Sequence, residues 1–157
     1  MKKEQILLLV VLILSFLVTP LFAENSGAII GTFGFGSTSF DSEYIKDAAV
    51  ALSVDFDIVS KFGFNISFGN MVNFVVGQYL VNVPYIGIGY RYLADNWDAG
   101  LSIVCIPFFN DALVGVRATG GYWINNNFGF NLTMMLGGGA VTEMSAFSIR
   151  AGVSVKK

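Results

Sequence analysis

Six charged residues stand in stretches that otherwise carry no charge: Asp55, Asp57, Arg91, Asp98, Arg117 and Arg150. Each stretch alternates residue by residue, and each charge takes the small, polar side, opposite the large apolar residues. Three acids and three bases sharing one kind of face have two uses. They can form a polar gate or a solute-binding site. They can also pair with one another as a salt-bridged plug, because buried charges are tolerated only when paired. The plug is the simpler reading. If Tyr92 pairs with Trp97 across the Leu93–Asn96 turn, Arg91 directly opposes Asp98, and Arg117 can reach toward Asp55 or Asp57.

Other chemistry is scarce. The chain has no histidine, which excludes His-dependent triads and His-liganded zinc, and its single cysteine cannot build a disulfide framework. Cys105 falls on the apolar side, where it reads as a small apolar residue with no base to activate it. The run Gly137-Gly138-Gly139 lacks the lysine that follows in a phosphate loop and reads as a flexible loop. No catalytic residue, metal site or cofactor is expected. A formal charge of −2 also argues against nucleic acid, which needs a basic face.

The elements that must position these charges follow from composition and periodicity. The 157 residues make one domain, with 54% hydrophobic and only 13% charged residues, against about 25% charged in an ordinary soluble domain. An aromatic content of 15% excludes disorder. Lys2 and Lys3, the apolar run Ile6–Val18, Pro20 and Ala23 have the layout of a secretory signal peptide. The expected division is a cleaved signal peptide over residues 1–23 and a mature domain over 24–157.

Within the mature domain, the period is two, eight times over. Ile29, Gly31, Phe33 and Phe35 share one face of the first segment; Phe62, Phe64, Ile66 and Phe68 share one face of the third. Phe128, Phe130, Leu132, Met134 and Leu136 do so in the seventh. Repeated alternation over about ten residues is the strand signal of a membrane barrel, and eight strands suit a small closed one. Short turns are expected at Val59-Ser60-Lys61, Ala94-Asp95-Asn96 and Asn125-Asn126-Asn127, with a two-residue hairpin at Asn110-Asp111. Longer loops are expected at 37–47, 70–82 and 137–144, although the apolar content of 70–82 favours strands that run on and turn near Gly77-Gln78-Tyr79. Phe62-Gly63-Phe64-Asn65-Ile66-Ser67 echoes Phe128-Gly129-Phe130-Asn131-Leu132-Thr133, which reads as a repeated hairpin.

Charge placement separates a barrel from a soluble sandwich. No charge falls on the apolar face of any strand, where an Arg or Lys would cost about 2–4 kcal/mol at a bilayer midplane. Phe62, Tyr90, Tyr92, Trp97, Tyr122 and Phe128 flank the short turns on the apolar side, where an interfacial aromatic girdle belongs. The expected fold is all-β: an eight-stranded antiparallel up-and-down transmembrane β-barrel.

With segments such as Gly89-Tyr90-Arg91-Tyr92-Leu93-Ala94-Asp95-Asn96-Trp97, the chain resembles the small eight-stranded outer-membrane β-barrel proteins of bacteria. It departs from them in ending Val153-Ser154-Val155-Lys156-Lys157, where such proteins usually carry a terminal aromatic; Phe147 is the nearest on that face. The resemblance implies an outer-membrane location, lipids as neighbours and a monomer whose loops could meet a surface partner. It implies a non-enzymatic role in adhesion or membrane structure, with a narrow channel for small hydrophobic solutes as the alternative. The lipid-modifying enzymes of the group generally use a histidine that this chain lacks.

Overall fold

The computed structural model describes residues 26–41, 48–75, 80–107, 112–139 and 145–157. The expected signal peptide and the Asn110-Asp111 hairpin lie outside the described residues. Eight strands follow in order: β1 (Ser26–Asp41), β2 (Ala48–Ser60), β3 (Phe64–Val75), β4 (Leu80–Leu93), β5 (Trp97–Pro107), β6 (Ala112–Trp123), β7 (Phe128–Gly138) and β8 (Ser145–Lys156). Every neighbour pairs antiparallel, and β1 returns to β8, from Ile30 opposite Lys156 to Asp41 opposite Ser145, closing the barrel. Closure leaves no strand edge to satisfy elsewhere.

Alternation is what sorts the two faces. Along β7, residues from Phe128 to Gly138 are exposed and buried in strict turn. Phe33, Phe35, Ile88, Leu101, Ile103, Phe130 and Leu136 all stand exposed on the outside. A surface so apolar is stable against hydrocarbon, not water.

The strands are longer than the polar-loop reading allowed. β1 continues to Asp41, β3 to Val75, β4 starts at Leu80 and β7 reaches Gly138, so 37–41, 70–75, 80–82 and 137–138 are wall. Phe74 opposite Leu80 is the last described pair of the β3–β4 hairpin. The physical reason is that alternation persists: Met71 and Asn73 are buried inside while Phe74 stays outside.

The first turn reading is corrected. β2 runs through Ser60, and the turn is Lys61-Phe62-Gly63, with the Gly63 N–H donating to Ser60 O at 2.9 Å and Gly63 at φ 86°. A glycine in the left-handed region after a tight turn makes the bulge that aligns such hairpins. Phe62 therefore sits in the turn instead of opening β3, while Phe128 does open β7. The echo holds structurally only from Phe64 and Phe130 onward, with Asn65 and Asn131 both buried. At the third turn, Asn125 Oδ1 accepts the N–H groups of Asn127 (2.9 Å) and Phe128 (2.8 Å), and Asn127 bonds to Lys156.

Candidate functional site

The lumen is layered, and the order of residues along each strand gives the layers. Toward the loop end, Ala49, Ala51, Met71, Val83, Val104, Ile106, Leu113 and Met135 form one buried apolar cluster that also takes in Tyr85. Toward the turn end, Ala28, Ile30, Val59 and Trp123 form a second, flanked by Leu93. The six charges lie between. On β2 the order runs Ala51, Asp55, Asp57, Val59; on β4 it runs Val83, Arg91, Leu93; on β6 it runs Leu113, Arg117, Trp123.

Asp57 is the centre of the charged layer. Its carboxylate accepts Arg117 Nη1 at 2.7 Å and Nη2 at 3.1 Å from β6 across the barrel, together with Arg91 Nη1 from β4. Arg91 also holds Asp98, with Nε at 2.9 Å and Nη2 at 2.7 Å from Oδ1. Asn65 and Ser67 line the same layer: Asn65 Nδ2 donates to Asp57 Oδ1 at 3.3 Å, and Arg117 Nη1 donates to Ser67 Oγ at 3.2 Å. Asp55 anchors a second group, accepting the Tyr85 hydroxyl at 2.7 Å, Ser53 Oγ at 3.2 Å and Arg150 Nη1 at 3.3 Å. The Arg117 guanidinium lies 5.7 Å from the Tyr85 ring centre and joins the two groups. All three arginines are among the most deeply buried side chains. Small residues make the room. A Cβ at Gly121 would lie 2.4 Å from Asp98 Oδ2, and one at Gly100 would lie 3.0 Å from the Arg91 stem.

The register of the β4–β5 hairpin differs from the sequence expectation. Tyr92 pairs with Ala99 and Arg91 with Gly100, so Asp98 is opposite Leu93. Arg91 thus meets Asp98 diagonally, as its length permits. Tyr92 and Trp97 are likewise diagonal, with ring centres 5.3 Å apart. The turn is tighter than assumed: the Ala94 N–H donates to Trp97 O, leaving only Asp95 and Asn96 between them. Tyr90, Tyr92, Trp97, Tyr122, Phe128 and Phe62 all stand exposed on the outer surface at the turn end.

Residues with no assigned role also enter the site. Tyr85 and Trp123 are lumenal aromatics, and Lys156 Nζ lies 4.6 Å from the Trp123 ring centre at the turn-end mouth. Their signal was parity: Tyr85 shares its face with Arg91, and Trp123 with Arg117. Among the described residues, no group of three or more potential ligands is placed to hold a metal ion.

The closed, ion-paired cylinder with an apolar exterior can be compared with known structures. Neisserial surface protein A matches with a TM-score of 0.62 at 10% identity, over 82% of this chain and 98% of its own. The fold is that of the small outer-membrane β-barrels. A de novo designed transmembrane β-barrel matches this barrel equally well, with a TM-score of 0.62 and 13% identity over 84% and 97% of the two chains. Ail, the attachment invasion locus protein of Yersinia pestis, matches with a TM-score of 0.55 at 7% identity, over 84% and 99%. No family model and no curated protein sequence matches the chain. Outer-membrane barrels of this size have an interior that side chains can fill, as they do here.

Proposed function

We propose that the protein is a non-enzymatic integral outer-membrane β-barrel that acts at the cell surface through its loop end, in adhesion or as a structural element of the membrane. The observation that carries this is the layered lumen. An ion-paired band around Asp57 is closed off by an apolar cluster on either side, and the loop-end cavity holds about 10 Å³, no more than about one water. A lumen so filled offers no continuous path to ions. A partner would meet the barrel at its loop end, where β1 reaches Asp41, β3 Val75 and β7 Gly138. The presence of a surface protein of Neisseria and an attachment protein of Yersinia pestis among the structural matches agrees with this reading.

The test is planar-bilayer recording of the refolded protein. Silent membranes at protein loads that give dense incorporation are expected. Discrete unitary steps would overturn the sealed-lumen reading and favour a channel.

A further inference from the structure

The outward face of β3 carries one polar side chain in the middle of an apolar run. Parity puts Phe64, Ile66, Phe68, Asn70, Val72 and Phe74 on that face, and of these only Asn70 can donate or accept a hydrogen bond. Its outward neighbours across the ladders are Val54 on β2 and Pro84 on β4. Asn70 Oδ1 meets no hydrogen-bond partner among the described residues. At the foot of the strand, Phe64 lies opposite the girdle residue Tyr90. The six steps from Phe64 to Asn70, at about 3.3 Å each with a tilt of about 40°, climb roughly 15 Å. Apolar wall continues above it to Phe74 and Leu80, both exposed. Asn70 therefore lies inside the hydrocarbon band, about 25 Å tall, where an amide without a partner is costly.

Geometry restricts what can partner it. Lipid tails offer no hydrogen-bonding group. Two barrels inserted in the same orientation are related most simply by a two-fold axis along the membrane normal, and on that axis a residue meets its own copy at its own depth. An asparagine amide has both a carbonyl acceptor and an N–H donor, so two copies can exchange two N–H···O bonds. Its terminal torsion is broad and roughly two-fold, so either end can turn outward. Strands tilted by about 40° cross at roughly 80° where two cylinders touch, which confines the contact to a small patch. Around Asn70 the flanks are Val54 and Pro84, compact side chains that let two walls approach. Below it, Phe56 and Phe68 stack with ring centres 5.5 Å apart and form a fixed apolar shoulder. Asn82, opposite Val72 and exposed on the same face, adds a second amide toward the loop end.

Resting on the reading that the barrel is membrane-embedded, we propose that β3 is the contact face of a two-fold dimer of this chain, with Asn70 paired to its own copy. The dimer replaces the monomer that the family resemblance implies.

Fluorescence energy transfer in vesicles tests this. The full chain carries Cys105→Ser and Asn126→Cys, which puts the label in the β6–β7 turn, across the barrel from β3. Donor-labelled and acceptor-labelled pools are refolded together into dimyristoylphosphatidylcholine. Transfer above that of randomly placed barrels is expected, falling on dilution with lipid and varying linearly with acceptor fraction, the mark of a dimer. Asn70→Leu suits a lipid-facing wall and should leave a folded, heat-modifiable barrel. Association should weaken roughly tenfold, the equivalent of two hydrogen bonds of the strength usual between membrane segments. Leu132→Ala, on the opposite wall, should leave transfer unchanged. Random-level transfer from barrels that float with the vesicles overturns the proposal and leaves embedding intact; a polar lipid group held by Asn70 would give this result. Barrels that fold but do not float overturn the embedding reading itself. Transfer that survives Asn70→Leu, or that Leu132→Ala abolishes, overturns the β3 face, and a curved dependence on acceptor fraction overturns the two-fold pairing.

Discussion

At Asp57, one carboxylate of β2 is shared by guanidinium groups from β4 and β6, and this sharing sets the order of mutational costs. Asp57→Ala leaves Arg91 with Asp98 alone but strands Arg117, at a depth where an uncompensated charge costs about 3–5 kcal/mol, and urea unfolding in detergent should show a loss of that size. Arg150→Ala should cost less. Its longer contacts to Asp55 are 3.3 and 3.4 Å, and its Nε and Nη2 meet no partner among the described residues, while Tyr85 and Ser53 remain to satisfy the acid. A double-mutant cycle on Arg91 and Asp98 should return a coupling of roughly 0.5–3 kcal/mol, the range for groups in direct contact; simple additivity would show that they do not interact. The charged half of this site was legible in the sequence, because six charges on the inward parity of alternating strands have only one another to pair with. Trp123 and much of the two apolar layers were not, because a face sorted by polarity hides an inward Ile106 or Leu113. Position parity, read without regard to polarity, places them correctly.

At the level of strands and turns, alternation delivered all eight elements, but not where each one stops. Polar residues such as Thr38 and Asn73 look like loop residues, yet inside a small barrel they are lumenal wall, and strands run past them. Hydrogen exchange should therefore be slow through Met71–Phe74 and again across Val81–Val83; fast exchange in both would mean that the β3–β4 ladder ends lower. Register was legible only to within two residues at β4–β5, since the Leu93–Asn96 segment fits a tight or a wide turn equally well and only the Ala94–Trp97 hydrogen bond distinguishes them. Gly63 is the turn position least open to change. Its φ of 86° favours glycine, and a Cβ there would lie 2.4 Å from the Tyr90 ring. Gly63→Ala should lower unfolding stability by about 1–3 kcal/mol from backbone strain, with further loss as Tyr90 is displaced. At Gly137, by contrast, alanine should be nearly neutral, since the added methyl group makes only ordinary contacts.

For the molecule as a whole, an apolar exterior and an ion-paired interior invert the arrangement of a soluble protein. Purified protein should give a β-rich circular dichroism spectrum and a gel mobility that changes on heating in detergent. A monomer that stays folded and soluble without detergent or lipid would contradict the transmembrane reading. The closing ladder between β1 and β8 carries a kinetic consequence. It joins the first strand to the last, so its contacts have the greatest sequence separation in the chain, and high contact order slows folding. Until that ladder zips, β1 and β8 each present a row of unpaired N–H and C=O groups, which hydrocarbon cannot solvate. A half-built sheet therefore has no stable resting place in the bilayer, and insertion and closure must proceed together, with the β1–β8 zipper as the step that commits the chain.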